Sequence, residues 1–188
     1  GALLNKIAGM TGPRNLQLLP LNLNDFFSEF EILASPLLTD GLTLKIYNAY
    51  TCGTPVLIDS GMLQDSLINL ILNARDASPS NGTITVSCQP VEDTWLKISV
   101  QDAGTGFSKK ALKNALNPFF TTKGGEGSGL GLAMVYDMTK LAGGEVHLSN
   151  SFQGGNVTLR LPFRVAPLPQ KSRLVLLVED NIDLRRSV

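Results

Sequence analysis

The chain has 188 residues, of which 43% are hydrophobic and 17% charged, a composition typical of a folded globular protein and not of a disordered one. Its 16 basic residues equal its 16 acidic ones, which excludes a broad basic surface for nucleic acid or an anionic membrane. No run approaches the roughly 18 apolar residues needed to cross a bilayer, and the first residues lack a signal-peptide pattern. Cys52 and Cys88 have no metal-ligand spacing, so we expect two free thiols and a cytoplasmic protein.

The helices are predicted from capping residues and from the signals that stop a helix. After a short helical piece and a connector, Asn24 is predicted to cap a helix that runs to about Leu38, although Pro36 would strain or shorten it. Ser60 is predicted to be the N-cap of a second helix, which runs to about Ala77. Two further helices are predicted over 108–116 and from near Ser128 to Gly143–Gly144.

Six strands are predicted between and after these helices. The segments TITVSCQ and WLKISVQD alternate apolar and polar residues at period two, which predicts a hairpin-like pair. A final pair is joined by the connector FQGG. The predicted strand ranges are 42–48, 54–58, 83–89, 95–102, 144–150 and 156–163.

The composition changes after the last predicted strand. Residues 165–172 carry two prolines and predict a linker. The run RLVLLVED that follows is apolar enough for a strand buried on both faces of a parallel sheet. We therefore expect residues 173–188 to be the truncated start of a second domain.

The helix predicted over 60–77 carries a polar stripe on an otherwise apolar surface. Asp65, Asn69, Asn73 and Asp76 recur at intervals of four, four and three residues, so they share one face. Each buried polar group left unsatisfied costs about 1–3 kcal/mol. The stripe therefore faces solvent or meets a polar ligand, and the helix alone does not decide between the two.

A short glycine-containing motif, DAGTGF, ends a predicted strand and contains Asp102, Gly104 and Gly106. Glycine allows the backbone to approach a ligand closely or to adopt positive φ. An ionised carboxylate only accepts hydrogen bonds, so Asp102 suits an amine donor such as the exocyclic amine of adenine. The alternative interpretation is a turn capped by the aspartate side chain.

The segment NPFFTTKGGEGSGLGLAMV has the features of a phosphate site. Gly127, Gly129 and Gly131 precede or open a helix, whose free N–H groups and positive dipole end attract an anion. Lys123 adds a positive charge. Neither the Walker A motif nor the dinucleotide-binding fingerprint is present. The alternative is a flexible loop before a glycine-rich helix start.

The order of these motifs resembles the ATPase domain of sensor histidine kinases. The asparagine-bearing helix, DxGxG, Phe-Phe-Thr-Thr-Lys and GxGLGL stand in the order of that family's N, G1, F and G2 boxes, over residues 22–164. The family is part of the GHKL ATPase superfamily, and the segments PFFTTK, GSGLGLAMV and LINLILNARDASP favour its kinase branch. The resemblance implies a two-layer α/β sandwich of the Bergerat type, with a mixed, mostly antiparallel sheet and helices on one face.

The resemblance also implies ATP and Mg²⁺ as ligands and assigns roles to residues. Asn73 would hold Mg²⁺, Asn69 would contact the phosphates or support that site, and Asp102 would select adenine. Gly104 and Gly106 would permit close approach to the base. The other implied ATP contacts are Asp76, Thr121, Thr122, Lys123, Gly127, Ser128, Gly129, Leu130, Gly131 and Leu132, with Thr121 to Gly127 forming a lid over the triphosphate.

Two positions depart from the family pattern. Asp65, which with Asn69 is an implied catalytic residue, stands where the family usually has Glu or Gln, and a carboxylate there can help to deprotonate the attacking group. Asn117 stands where Glu often precedes PFF. These departures leave open a nucleotide-binding regulatory module that docks partners without phosphoryl transfer. A non-kinase ATPase of the same superfamily is a third interpretation.

Both ends of the chain resemble neighbouring parts of a hybrid sensor histidine kinase. Residues 1–21 resemble the end of a dimerisation helix with its connector, and residues 173–188 resemble the opening of a receiver domain, with Glu179 and Asp180 as its acidic pair. The implied reaction moves the γ-phosphoryl group of ATP to a histidine and then to an aspartate. His147, in a predicted strand, does not match that histidine, so we expect the isolated chain not to phosphorylate itself.

The implied partners follow from the same resemblance. They are the dimerisation and histidine phosphotransfer helices of a homodimeric parent, and a receiver domain or response regulator. No nucleic-acid partner is expected, and anchoring of the parent in the inner membrane is left open.

Overall fold

The structure, a computed structural model, describes residues 15–114 and 130–168. Its strands are β1 (Leu19–Leu21), β2 (Thr43–Asn48), β3 (Val56–Ile58), β4 (Thr83–Val91), β5 (Trp95–Gln101), β6 (Glu145–Asn150) and β7 (Gly155–Pro162). Five of them form one sheet in the order β2–β4–β5–β7–β6. Strands β2 and β4 are parallel and the other neighbours are antiparallel, so the predicted mixed, mostly antiparallel sheet is confirmed.

Helices cover one face of this sheet. They are α1 (Leu23–Ala34), α2 (Ser60–Ala77), α3 (Lys109–Asn114) and α4 (Leu130–Leu141), with a 3₁₀ turn over Ser35–Leu37. Alternate residues of the central strands point to this layer and are buried, namely Ile84, Val86, Cys88, Leu96, Ile98 and Val100. They meet an apolar side of α2 formed by Leu63, Leu67, Leu70 and Ile71, each at most 2% exposed. The predicted two-layer α/β sandwich is therefore confirmed.

Helix α1 begins and ends earlier than the sequence predicted. The N-cap is Asn22 and not Asn24, because the Asn22 side chain accepts a hydrogen bond from the backbone N–H of Asp25 at 3.1 Å. The helix ends at Ala34, and Pro36 lies in the 3₁₀ turn that follows, which matches the predicted shortening.

Helix α2 has the predicted extent but a different cap. Asp59 is the N-cap, since its carboxylate accepts a hydrogen bond from the backbone N–H of Met62 at 3.0 Å, and Ser60 is the first helical residue. A carboxylate at this end also interacts favourably with the helix dipole. The same aspartate accepts a hydrogen bond from the backbone N–H of Gln17 at 3.1 Å, which ties the start of the described chain to α2.

A two-stranded sheet lies apart from the main one. Strand β1 lies in the segment predicted as a connector, and it pairs antiparallel with β3, which lies in the strand predicted over 54–58. Beyond β7 the chain still pairs with this region, because Val165 bridges to Val56 and the N–H of Ala166 donates to the carbonyl of Pro55 at 2.8 Å. Both residues lie in the segment predicted as a linker.

Two simpler expectations concern membranes and cysteines. Among the helices of residues 15–114 and 130–168, none is long and apolar enough to span a membrane. Both cysteines are free thiols, as predicted, with Cys52 exposed and Cys88 buried.

Candidate functional site

The polar stripe of α2 lies at the edge of the core. Asp65, Asn69 and Asn73 are half-buried, whereas Asp76 is exposed and accepts a hydrogen bond from the Arg75 guanidinium at 3.2 Å. The stripe therefore does not simply face solvent along its length.

Asn69 lies next to the start of α4. A Cβ atom placed on Gly131 would lie 3.8 Å from the carboxamide oxygen of Asn69, in ordinary van der Waals contact. The first turn of α4 thus meets the middle of the stripe. Within the described ranges, no residue forms a hydrogen bond with the side chain of Asn69 or Asn73, so both carboxamides keep their hydrogen-bonding capacity.

Asp102 is the polar side chain most firmly held at the site. It follows β5 and is 7% exposed. Its Oδ1 atom accepts two backbone hydrogen bonds, from the N–H of Gly104 at 2.9 Å and from the N–H of Gly155 at 2.8 Å. No described residue donates to Oδ2, so one carboxylate oxygen is fixed by the protein and the other can accept a donor from a ligand.

The loop after Asp102 packs directly on the end of α2. A Cβ atom on Gly104 would overlap the carbonyl oxygen of Ala77, so only glycine allows this approach. The hydroxyl of Ser78 joins the two segments, because it accepts a hydrogen bond from the N–H of Ala103 at 3.0 Å and donates one to the carbonyl of Ala74 at 2.7 Å. The helix that carries Asn69 and Asn73 and the loop that carries Asp102 therefore form one unit.

Position 106 also requires glycine, but for a different reason. Its φ of +84° lies in the left-handed region, and a Cβ atom there would approach the Asn150 carboxamide oxygen to 2.9 Å. The DxGxG motif is thus more than an aspartate-capped turn. Asp102 does cap its own loop through Gly104, as the alternative interpretation proposed, but it also reaches across to the β6–β7 hairpin.

Three supporting residues were not predicted from the sequence: Ser78, Asn150 and Gly155. Asn150 ends β6 and Gly155 begins β7, so the FQGG segment predicted as a simple connector supplies one of the two N–H groups that hold Asp102. A Cβ atom on Gly155 would lie 2.8 Å from Oδ2 of Asp102, so glycine keeps that oxygen accessible. The pair of glycines in a strand connection was the signal available in the sequence.

The other predicted ligand contacts are only partly within the described ranges. Leu132 is half-buried in the first turn of α4 and packs against the hydrophobic core. Leu130 is the first described residue of α4. Residues Asn117, Thr121, Thr122, Lys123, Gly127, Ser128 and Gly129 lie outside the described ranges.

The donor set of α2 fits Mg²⁺ only together with a phosphate ligand. Mg²⁺ prefers octahedral oxygen coordination and usually takes one or two protein ligands with waters and substrate phosphates. Asn73 offers one carboxamide oxygen, and the described part of the chain contains no cluster of three or more His, Cys, Asp or Glu side chains that could hold a metal ion alone. The residues are therefore consistent with a cation shared with a polyphosphate.

Comparison with known proteins shows the family of the chain. Residues 58–165, more than half of the chain, match the model of the histidine kinase-, DNA gyrase B-, and HSP90-like ATPase family. The sensor kinase CckA of Brucella abortus is 31% identical over 200 aligned positions, which cover 88% of this chain and 21% of that protein. The chain thus spans about a fifth of the length of this relative.

Two solved structures share the fold. Full-length ShkA in complex with AMPPNP matches with a TM-score of 0.74 at 23% identity, covering 90% of this chain and 36% of ShkA. Histidine kinase ThkA in complex with the response regulator protein TrrA matches with a TM-score of 0.70 at 23% identity, covering 86% and 46%. With the matched family model spanning α2, the Asp102 loop, α4 and the β6–β7 hairpin, the chain belongs to the histidine kinase-, DNA gyrase B-, and HSP90-like ATPases.

Proposed function

We propose that this chain is the ATP-binding catalytic domain of a hybrid sensor histidine kinase. The observation that carries the proposal is the carboxylate of Asp102, whose Oδ1 is held by two backbone N–H groups while its Oδ2 has no donor among the described residues. Two further features support it: the half-buried Asn69 and Asn73 lie on the adjoining helix, and Asn69 meets the start of α4.

The carboxylate suits adenine because of the base's exocyclic group. Oδ2 can accept a hydrogen bond from the amine of adenine, whereas guanine presents a carbonyl oxygen at that position. With guanine, Oδ2 and the carbonyl oxygen of the base would face one another as two acceptors, and the buried carboxylate charge would stay unpaired. This discriminates strongly against guanine. Gly104 and Gly106 would let the loop pass close to the base, because glycine allows the backbone conformation and the close packing that this loop needs.

The phosphates would lie between α2 and the start of α4. Free N–H groups at a helix N-terminus bind anions, and Leu130 and Gly131 open α4. Asn69 would contact the phosphates and Asn73 would place its carboxamide oxygen on Mg²⁺. That ion would neutralise charge on the transferred phosphoryl group. The remaining ATP contacts proposed are Asp76, Thr121, Thr122, Lys123, Gly127, Ser128, Gly129 and Leu132.

The proposed reaction breaks the bond between the γ-phosphorus and its bridging oxygen and forms a bond to a histidine nitrogen. Asp65 lies one helical turn before Asn69 and would take the proton of the attacking imidazole. The histidine would be supplied by a dimerisation helix of the parent protein, and a receiver domain or response regulator would take the phosphoryl group next. CckA is named a sensor kinase, and ThkA was solved with a response regulator protein, which supports these partners.

Calorimetric titration with ATP and Mg²⁺ tests the proposal, with GTP as the control nucleotide. We expect micromolar-to-millimolar ATP binding that is absent with GTP and lost in Asp102→Ala. Asp93→Ala is a matched control variant, because this exposed aspartate lies in the turn between β4 and β5, at the opposite end of β5 from Asp102. ATP binding of equal strength in wild type and Asp102→Ala would refute the assignment of the base site.

The second candidate is a regulatory module that binds the nucleotide without transferring phosphate. The shorter reach of Asp65 compared with the family's Glu or Gln favours it. Fusing the chain to a dimerisation helix pair and measuring phosphohistidine separates the two candidates. Phosphohistidine that increases in Asp65→Glu and disappears in Asp65→Ala supports the kinase, whereas ATP binding without phosphohistidine in any variant supports the regulatory module.

The remaining expectations stay predictions. They are the linker over 165–172, the receiver start with Glu179 and Asp180, the dimerisation segment 1–21, the homodimeric parent and the cytoplasmic location.

A further inference from the structure

The carboxamide of Asn150 holds the loop that follows Asp102. Its Oδ1 accepts a hydrogen bond from the N–H of Phe107 at 2.7 Å, and its Nδ2 donates one to the carbonyl oxygen of the same residue at 2.8 Å. One side chain therefore satisfies both polar groups of the Phe107 backbone. The two bonds fix the position and the orientation of that peptide segment, 43 residues away in sequence.

The Asn150 carboxamide thus acts as a clamp on the Phe107 backbone. A continuous chain of contacts leads from this clamp to Asp102. The Phe107 ring lies against Gly155, where an added Cβ atom would approach the ring to 2.9 Å. The N–H of Gly155 is one of the two donors to Asp102 Oδ1, and Gly155 is also the register partner of Asn150 between β6 and β7. Displacement of Phe107 would therefore disturb the group that orients the Asp102 carboxylate.

The clamp is not part of the hydrophobic core. Asn150 is exposed and ends β6, and the hydrogen bonds of its side chain go only to the Phe107 backbone among the described residues. The backbone of Gly106 has positive φ and lies close to the Asn150 carboxamide. A residue whose bonds serve one loop and not the core is expected to affect that loop's ligand more than the stability of the fold.

We propose that Asn150 is a positioning residue for adenine recognition, which acts on Asp102 through Phe107 and Gly155. The inference rests on the proposed function, since it assigns Asn150 to the base part of the same nucleotide site. It predicts that Asn150 affects the recognition of the base and leaves the phosphate part of the site, on α2 and α4, unchanged.

The test compares two probes on the full chain, ATP with Mg²⁺ and inorganic tripolyphosphate with Mg²⁺, by calorimetry. In Asn150→Ala we expect ATP affinity to fall roughly tenfold, because two hydrogen bonds that hold the loop are lost, with tripolyphosphate affinity unchanged. Asn150→Asp keeps an acceptor for the Phe107 N–H but sets an oxygen against its carbonyl, so a fall of at least the same size is expected. Ser149→Ala, an exposed neighbour on β6, is the matched control and should leave both affinities unchanged.

A second measurement distinguishes positioning from loss of folding. The melting temperature of each variant, taken without ligand, should lie close to that of wild type. Gly106→Ala should weaken ATP binding by itself, and adding Asn150→Ala to it should cause little further loss, because both changes release the same loop. Wild-type affinity for ATP in Asn150→Ala, or an equal loss for ATP and tripolyphosphate, overturns the inference while the proposed function stands. Failure of the wild-type chain to bind ATP overturns both.

Discussion

Gly104→Ala is the substitution whose effect follows most directly from the geometry. The added Cβ atom would overlap the carbonyl oxygen of Ala77 and lie 3.0 Å from its carbonyl carbon and 3.3 Å from Asp102 Oδ1. Because the main obstacle is backbone, no flexible side chain can move aside. The loop must shift, and the hydrogen bonds from Gly104 to Asp102 and from Ala103 to Ser78 lengthen with it.

The magnitude can be worked out from these contacts. Overpacking costs about 1–3 kcal/mol, and a hydrogen bond to a charged acceptor contributes about 1.5–3 kcal/mol. One displacement causes both losses, so we expect a combined destabilisation of about 2–3 kcal/mol and not their sum. For a chain of this size each kcal/mol lowers the melting temperature by about 2–4 °C, so calorimetric unfolding should show a fall of roughly 4–12 °C.

Gly61→Ala is the matched control. Gly61 lies in α2, and the nearest atom to an added Cβ is Asp59 Oδ1 at 3.5 Å, an ordinary contact. Alanine there should raise the free energy of unfolding by about 0.5–1 kcal/mol, because it reduces the backbone entropy of the unfolded chain. A melting temperature of Gly104→Ala equal to or above that of wild type would refute the close approach of this loop to α2.

Three further predictions concern the rest of the fold. Burial raises the pKa of the Cys88 thiol to about 12, whereas a hydrogen bond with Thr54 lowers the pKa of Cys52. A thiol reagent should therefore modify Cys52 alone until the chain unfolds. Asn22→Ala, which removes the N-cap of α1, should lower the free energy of unfolding by about 1 kcal/mol in denaturant titration. Leu67→Ala, in a position with no exposed surface, should lower it by about 2–5 kcal/mol in the same assay; equal values for the two variants would contradict the described core.

Local patterns in the sequence predicted most of the fold. Helix α2 was predicted at its observed bounds because a capping residue at the start and a largely apolar surface are local features of the sequence. The pairs β4–β5 and β6–β7 followed from alternation and short connections. The predictions of helix caps were less accurate, because Asn22 and Asn24 are both residues that cap helices well. The helix that starts after Asn22 buries Leu23, Phe26 and Phe27, and this packing is not visible in the local sequence.

The predicted ligand contacts of the site stay predictions, and the residues that support them were missed in the sequence. Asp102, Asn69 and Asn73 stood out because polar groups in an apolar context need an explanation. The partners of Asp102 and of its loop, Gly155 and Asn150, lie about 50 residues farther along, and strand pairing brings them close. Such contacts depend on the register of β6 and β7, which a single sequence does not reveal.

Asp102→Asn tests the central claim most directly. Asparagine can keep its carbonyl oxygen on the N–H groups of Gly104 and Gly155 while it presents an N–H donor where Oδ2 now accepts. Adenine and hypoxanthine differ at this position, with an amine in the first and a carbonyl oxygen in the second. Calorimetry with ATP and inosine triphosphate should therefore show a preference for ATP in wild type and for inosine triphosphate in Asp102→Asn. Retention of the wild-type preference for ATP in the variant would contradict the role of Asp102 in base recognition.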